Sequence, residues 1–275
     1  SDAALLAAIR RRLATAAAIE HALGAGRLPA RRDLAAWTAE PDGSVQLAFP
    51  ELVAPPAPTD AVGTLLAALR RHADALRALR ALVRTTAARD DLRLAALRRI
   101  LDRCRDRRCV VFTHSTETAE LVFRSLRHAS RVALLTGRGA CIASGPLPRA
   151  DVLAAFAPDG DRHSRGDDVA RIDVLVASDV VSEGVNLHGA ATVVHLDLPW
   201  TVARFEQRLG RLRRIGSPHR EIESHLILPP ADAGELHLIL HHLARKARVS
   251  ADVVGESSVL LGAEAWTPPP NDADD

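Results

Sequence analysis

The chain has 275 residues, of which 47% are hydrophobic, and its formal net charge at pH 7 is only +2. This length is enough to bury one large core or two smaller ones. No apolar run approaches the roughly 20 residues that a membrane-spanning helix needs, so we expect no membrane partner. The first residues, SDAALLAAIRRRL, lack an initiator Met and a secretory signal, which indicates an internal start within a longer, cytoplasmic protein.

The basic residues are almost all arginine, because Lys246 is the sole lysine of the chain. Tyr and Met are absent and Asn occurs only at positions 186 and 271, a bias that is typical of a GC-rich coding sequence. The arginine excess alone therefore does not imply a nucleic-acid partner. A functional interpretation must rest on where the arginines lie, since only arginine offers a planar fork to a phosphate group.

The cysteines give no sign of a metal site or of a disulfide framework. Cys104, Cys109 and Cys141 do not have the spacing of a tetrahedral zinc site or of paired bridges. We interpret the neighbouring His114 and His128 as ordinary core or surface histidines. The sequence therefore predicts no bound metal of its own.

The first 88 residues are predicted to be mostly helical. Residues 1–24, which end at a glycine, carry Leu and Ile at helical spacing, and residues 61–83 repeat the pattern with Leu and Val. Between them VQLAF favours a short strand, and the proline-rich stretch near 50–59 predicts a linker. The arginines at 10–12 indicate a solvated stripe on the first helix, and contact with a nucleic-acid duplex is the alternative.

From residue 89 to residue 250 strands alternate with helices. The runs CVVFTH, RVALLTG, DVLVAS, TVVHLD and SHLILP are rich in Val, Ile and Leu without strict alternation, which is typical of parallel strands buried on both faces. Helical segments separate them, so we predict an α/β fold with a doubly wound parallel sheet and helices on both sides. Residues 251–275 are predicted to be a C-terminal tail.

Ligands of such sheets bind at the carboxyl ends of the strands. These ends are polar or contain glycine in this chain, at residues 113–115, 136–139, 178–186 and 197–200.

The stretch FEQRLGRLRRIG, residues 205–216, is unusually basic. On a helix Gln207, Arg211 and Arg214 share one face, and no acidic residue lies between Gln207 and Gly216. Crowded like charges are destabilising unless an anion binds to them. The periodicity alone favours a solvated basic helix and a phosphate site equally.

Residues 178–216, SDVVSEGVNLHGAATVVHLDLPWTVARFEQRLGRLRRIG, resemble motifs V and VI of the second RecA-like lobe of superfamily 2 helicases, most closely SWI/SNF-type and RapA-like translocases. The resemblance extends from about Asp91 to Leu228 and includes VVFTHSTETAELVFRSL, which is similar to motif IV. Thr201 and Val202 stand where that family usually has Asn-Pro, and Ser217 stands in place of Gln. These departures weaken the assignment to a subfamily and leave the assignment to the second lobe unchanged.

The resemblance implies roles for individual residues. Arg211 and Arg214 fall on the two motif VI arginines that reach ATP held by the first lobe, with Arg214 as the arginine finger and Gln207 as a coupling residue. Motif V would couple the nucleotide to the lobe interface through Asp179, Glu183, Gly184 and Asn186. The nucleic-acid backbone would lie beside Thr113, His114, Ser115 and Ser182.

The cofactors implied by the resemblance are ATP and Mg²⁺, both held mainly by a first lobe, and the implied nucleic acid is double-stranded DNA. A phosphate-binding Gly-Lys-Ser/Thr loop cannot be formed around Lys246, and the sequence contains no Asp-Glu pair. We therefore predict the second lobe of an ATP-dependent translocase or helicase that is inactive by itself. The alternative is a non-catalytic module for nucleic-acid or protein contacts.

One further alternative, a dinucleotide-binding enzyme, depends on the stretch TGRGACIASG after a predicted strand. Ile142 occupies the position of its third glycine, and no acidic residue follows at a strand end at the required distance, which disfavours that alternative.

Overall fold

The structure, a computed structural model, describes residues 1–24, 59–85, 89–128, 131–157, 171–179, 185–197, 202–213 and 217–227. Its helices are α1 (Asp2–Gly24), α2 (Thr59–Thr85), α3 (Arg89–Arg103), α4 (Thr116–Leu126), α5 (Arg149–Phe156) and α6 (Val202–Leu212). Its strands are β1 (Cys109–Thr113), β2 (Val132–Thr136), β3 (Gly139–Ile142), β4 (Gly145–Leu147), β5 (Val174–Ser178), β6 (Thr192–His195) and β7 (Glu223–Leu226). The predicted strand VQLAF, the linker and the C-terminal tail lie outside these ranges. No helix within them is long and apolar enough to cross a membrane.

The strands form one sheet in the order β4-β3-β2-β5-β1-β6-β7. Five of them, β2, β5, β1, β6 and β7, run parallel to one another, and they are the five apolar runs that the sequence predicts as strands. Every residue of β1, β2, β5 and β6 is buried. The predicted α/β fold with a parallel sheet is confirmed.

Helices cover both faces of the sheet, because successive strand residues point to opposite sides. Val110 and Phe112 of β1 pack with residues of α5 and α6, whereas Val111 packs with Leu97 of α3 and Val122 of α4. Each side chain of a central strand therefore enters one of two apolar layers. This explains why the strand sequences show no alternation of polar and apolar residues.

The stretch TGRGACIASG forms an antiparallel addition to the edge of the sheet. β2 pairs with β3, and β3 pairs with β4, both antiparallel. Gly139 and Gly145 have φ angles of 139° and 143°, in a region that side chains other than glycine rarely adopt. These glycines serve the two turns, and no helix begins at the first turn as a dinucleotide-binding site would require.

α1 packs against α2 and also against α4 of the α/β part. Arg11 Nη1 donates to Glu117 Oε1 at 2.6 Å, and the hydroxyls of Ser1 and Thr118 are 2.6 Å apart. Arg10 and Arg12 are exposed, as the solvated stripe predicts. The same interpretation holds only in part for Arg11, because its side chain is partly exposed but pairs with the Glu117 carboxylate in the first turn of α4. The division of the chain near residue 88 stays a prediction.

Candidate functional site

The carboxyl ends of β1, β5 and β6 place polar residues of three segments at one edge of the sheet. Thr113 is the last residue of β1 and His114 follows it, while Asp197 comes shortly after β6. Thr113 Oγ1 donates to Asp197 Oδ2 at 2.6 Å, and the His114 backbone amide donates to the same oxygen at 2.7 Å. Asp197 thus fixes the end of β1 beside the end of β6.

Asp179, which follows β5, is the second carboxylate at this edge. Arg208 Nε donates to Asp179 Oδ1 at 2.8 Å, and Arg208 Nη2 lies 2.6 Å from the same oxygen. On the other carboxylate oxygen, Oδ2, His114 Nδ1 is 3.3 Å away and Arg204 Nη1 is 3.6 Å away. Asp179 therefore connects β5 to α6 and to the end of β1.

Arg208 is the most deeply buried charged residue of this edge, with only 1% of its surface exposed. Its guanidinium lies 5.4 Å from the centre of the Phe112 ring, and Nη2 is 3.6 Å from Asp197 Oδ1. The positive charge of Arg208 is thus offset inside the fold by two carboxylates and an aromatic face. The expectation that only an external anion offsets these arginines is wrong for Arg208.

His195, the last residue of β6, completes this buried arrangement. Burial and, to a smaller extent, the charge of Arg208 lower the pKa of His195 to about 3, so the imidazole is neutral at physiological pH. Because Arg208 can only donate, its Nη1 group, 3.2 Å from His195 Nδ1, donates to that nitrogen. The imidazole also stacks on Phe205 of α6 at 4.3 Å between ring centres.

We define the Arg208 junction as Asp179, His195, Asp197 and Arg208. Of this set, only Asp179 has a role that the sequence resemblance predicts. The other three residues could be found only from the topology. His195 ends β6 and Asp197 follows that strand, and Arg208 falls among the apolar positions of α6. Only knowledge of which strands are neighbours brings them together.

The neighbouring face of α6 carries two of the predicted nucleotide-contacting residues. Gln207 is exposed and Arg211 is half-buried, and they lie four residues apart on the helix. Within the ranges that the structure describes, the Arg211 side chain makes no hydrogen bond or ion pair. The Arg211 carbonyl accepts from the Leu187 amide at 3.1 Å, which ties the end of α6 to the segment that contains Asn186.

Several predicted residues fall outside the described ranges. These are Arg214 of motif VI and Ser182, Glu183 and Gly184 of motif V. Asn186 is described and exposed, and its Oδ1 accepts from the His188 amide at 3.4 Å.

Ser115 is the N-cap of α4 and is already engaged within that helix. Its Oγ accepts from the Thr118 amide at 3.4 Å and donates to Glu117 Oε2 at 2.7 Å. Burial would raise the pKa of Glu117, but the hydrogen bonds from Ser115 and from a backbone amide, together with Arg11, lower it to about 2. Glu117 is therefore ionised, and the start of α4 carries a negative charge.

The solvent side of this edge nevertheless offers donors. His114 is exposed, and so is Arg204 of α6, whose Nη1 lies 3.4 Å from His114 Nδ1. No sequence motif marked Arg204 as a candidate. These side chains and Gln207 could donate hydrogen bonds to phosphate oxygens that approach from solvent.

Comparison with known proteins identifies the region that builds this site. Residues 92–216 match the family model of the helicase conserved C-terminal domain. The uncharacterized ATP-dependent helicase YqhH of Bacillus subtilis is 36% identical over 92 residues, which are 33% of this chain and 16% of that protein. The ATP-dependent RNA helicase RhlB of Xanthomonas oryzae pv. oryzae is 30% identical over 128 residues, 46% of this chain and 20% of the relative.

A third relative is the ATP-dependent RNA helicase MAK5 of Saccharomyces cerevisiae, 33% identical over 96 residues, 35% of this chain and 12% of that protein. The matches thus span a fifth or less of these curated relatives. Among solved structures, the C-terminal part of the Fun30 ATPase domain aligns at 16% identity with a TM-score of 0.42, covering 54% of this chain and 44% of the other. A DEAD box protein from Methanococcus jannaschii aligns at 18% identity with a TM-score of 0.41, covering 57% and 37%.

Proposed function

We propose that this chain, whose residues 92–216 match the family model of the helicase conserved C-terminal domain, is the second RecA-like lobe of an ATP-dependent nucleic-acid translocase or helicase of the SWI/SNF or RapA type. The observation that carries this proposal is the division of α6 into two faces. The Arg208 junction fixes one face against the sheet, and Gln207 and Arg211 lie on the face beside it. A first lobe outside this chain would hold ATP and Mg²⁺.

In this proposal the two motif VI arginines supply positive charge to the phosphates of ATP. Arg211 and Arg214 donate to phosphate oxygens when the two lobes close, and Arg214 stabilises the charge that develops on the transferred phosphoryl group. Gln207 contacts the nucleotide from the same face. Since half of the site belongs to each lobe, hydrolysis depends on closure, and we expect the purified chain alone to turn over no ATP.

Motif V would transmit closure to the nucleic acid. The hydrogen bond from Leu187 to the Arg211 carbonyl supports this role, because it joins α6 to the segment of Asn186. Asp179 takes part through Arg208, which binds its carboxylate from α6. Glu183 and Gly184 are assigned to the same coupling from their motif positions.

Nucleic acid would bind along the carboxyl edge of the sheet through its phosphate backbone. His114 and Arg204 are exposed there, Ser115 lies beside them, and Ser182 is assigned from its motif position. The predicted contact of Thr113 is replaced by a supporting role, because its side chain is fully buried and donates to Asp197. Contacts of this kind fix the position of a nucleic acid without reading its bases. Double-stranded DNA is the substrate that the subfamily resemblance favours, whereas two of the relatives are named RNA helicases.

Fluorescence anisotropy with labelled DNA and RNA duplexes of one sequence tests this interface and its substrate. We expect His114→Ala and Arg204→Ala each to weaken binding. Arg204→Ala should also make the binding constant less dependent on salt, by the equivalent of about one phosphate contact. Arg124→Ala is the matched control, since this exposed arginine lies in the last turn of α4, about 13 Å along the helix from its N-cap.

Salt-independent binding, or an equal loss in the Arg124→Ala control, would contradict the interface. Tighter binding of the RNA duplex would replace DNA as the substrate and leave the interface intact. If the edge variants lose nucleic-acid binding while Arg211→Ala leaves the ATPase of the longer protein unchanged, the chain is a non-catalytic binding module.

A further inference from the structure

A group of three side chains that can bind a metal lies where β1 and β7 begin, at the end of these strands opposite to the Arg208 junction. Cys104 is in the turn between α3 and β1, while Glu223 and His225 are the first and third residues of β7. Two residues apart on a strand, the side chains of Glu223 and His225 project from the same face. The start of β7 thus lies beside Cys104, which is 119 residues from Glu223 in the chain.

The donor atoms of this group face one another at short range. One ligand atom from each side chain lies within 4.8 Å of the other two. Cys104 Sγ is 4.0 Å from Glu223 Oε2, and His225 Nε2 is 2.9 Å from Glu223 Oε1. Four-coordinate zinc places its ligand atoms roughly 3.5 Å apart, so a small rotation of the side chains would complete the arrangement.

The His225 ring supplies an independent indication. Its Nε2 is buried, yet it makes no hydrogen bond, because the short approach to Glu223 lacks hydrogen-bond geometry. A buried polar atom without a hydrogen bond destabilises the fold. A cation between the imidazole and the carboxylate would satisfy both groups. Cys104, which is also buried, directs its sulfur to the same place.

We propose that Cys104, Glu223 and His225 form a binding site for Zn²⁺. A thiolate, an imidazole and a carboxylate together favour zinc over Mg²⁺ or Ca²⁺, which take oxygen ligands. Three protein ligands leave a fourth position for water, and the partly exposed Glu223 gives solvent access to it. Bound zinc would fasten the edge strand β7 to the turn that ends α3.

One neighbouring cation competes with the metal. Arg107 Nη1 is 3.5 Å from Glu223 Oε2, but the Arg107 side chain is 59% exposed. An exposed ion pair of this kind contributes little to stability, because solvent screens it. Zinc binding therefore displaces Arg107 at small cost, and the guanidinium can move into solvent.

The site is separate from the proposed nucleotide and nucleic-acid contacts. Glu223 pairs with Thr192 at the start of β6, whereas the Arg208 junction contains His195 at the end of that strand. The two lie about 10 Å apart along the strand direction. The metal would accordingly act on the stability of β7 and not on phosphoryl transfer.

Titration of the full chain with Co²⁺, in the presence of a reductant that is not a thiol, tests the proposal. We expect one Co²⁺ per chain with a sulfur-to-cobalt charge-transfer absorption that Zn²⁺ abolishes by displacement, and a higher Tm with Zn²⁺. Cys104→Ser should remove the charge-transfer absorption, and His225→Gln should weaken the affinity about tenfold or more. Glu223→Gln, at a partly exposed position, should weaken it with the fold retained.

Two controls separate this site from other possible ligands. Cys141→Ser removes a thiol in β3, and His237→Gln removes a histidine from the sequence LHLILHHL, so both should bind Co²⁺ like the unaltered chain. The proposal is overturned if the folded chain binds no Co²⁺ at micromolar concentration. It is equally overturned if the charge-transfer absorption persists in Cys104→Ser, or if binding depends on His237 and not on Glu223 and His225.

Discussion

Arg208 and Arg211 lie three residues apart on α6 but meet different environments. Arg208 is enclosed by the Arg208 junction and by the Phe112 ring, whereas the Arg211 side chain makes no hydrogen bond or ion pair within the described ranges. The charge of one is offset by the fold, and the charge of the other is available to a ligand. Arginine periodicity therefore does not distinguish a structural arginine from a functional one, because the decisive acids come from other strands.

The largest effect on stability is expected from Arg208→Ala. This change leaves the largely buried Asp179 without its closest cation, and breaking such a pair costs about 3–5 kcal/mol. The free energy of unfolding from urea denaturation measures it. Arg208→Lys should also be clearly destabilised, since lysine lacks the fork that reaches both Asp179 and His195.

Arg211→Ala is the matched control for this comparison. We expect its free energy of unfolding to stay within about 0.5 kcal/mol of the unaltered chain. Equal losses for the two alanine variants would show that the two arginines are not divided between structure and ligand binding.

The buried His195 should make stability depend on pH. Its pKa is about 3 in the folded chain, so below its ordinary pKa of 6.5 only the unfolded chain takes up this proton. The stability that neutral His195 contributes is fully present above pH 6.5. As the pH drops below 6.5, the free energy of unfolding falls by about 1.4 kcal/mol per pH unit, so that the loss reaches about 2 kcal/mol at pH 5. Urea denaturation between pH 6.5 and 5 should show a shallower fall for His195→Gln. An unchanged slope would mean that His195 is accessible to protons in the folded chain.

A smaller effect is expected where α1 meets α4. The pKa of Glu117 is lowered from 4.5 to about 2, so its contribution is present above pH 4.5 and is lost as the pH falls toward 2. At pH 7 Glu117→Gln should cost about 1 kcal/mol, a value reduced by the partial exposure of Arg11. The difference from the unaltered chain should narrow at pH 3.

Glu120→Gln is the control for Glu117, since Glu120 lies one turn further along α4 and pairs with Arg138, which also approaches Glu117, whereas the ion pair with Arg11 belongs to Glu117. We expect it to change stability by less than about 0.5 kcal/mol at either pH. A difference for Glu117→Gln that is the same at pH 7 and pH 3 would contradict the role of its charge in docking α1.

The fold could be predicted from the sequence where the residues act locally. Long amphipathic patterns gave the helices, and runs such as CVVFT and VLVAS gave buried parallel strands. The β3–β4 hairpin was missed because its strands are only 4 and 3 residues long and contain Gly and Pro. Such short segments gain their pairing from the neighbouring β2, which a local pattern does not contain.

The candidate site was predictable only in part for a related reason. Thr113, His114 and Asp179 follow directly from strand ends, and the structure places them in contact with Asp197 or with each other. The Arg208 junction depends on strand order, because Asp179 is 29 residues from Arg208 in the chain. The proposed zinc site also depends on strand order, because Cys104 and Glu223 are 119 residues apart and the spacing of the cysteines along the sequence predicted no metal site.

ATP turnover by the longer polypeptide that supplies the first lobe tests the central claim most directly. An arginine finger contributes on the order of 10³–10⁵ in rate, and lysine keeps the charge without the fork. We therefore predict that Arg214→Lys and Arg211→Lys lose nearly as much turnover as the alanine variants, with unaltered folding. Arg213→Ala, at the exposed residue that follows α6, should stay close to the unaltered rate. Full turnover in Arg211→Lys and Arg214→Lys, or an equal loss in Arg213→Ala, would contradict the account and favour arginines that serve only as a solvated basic surface.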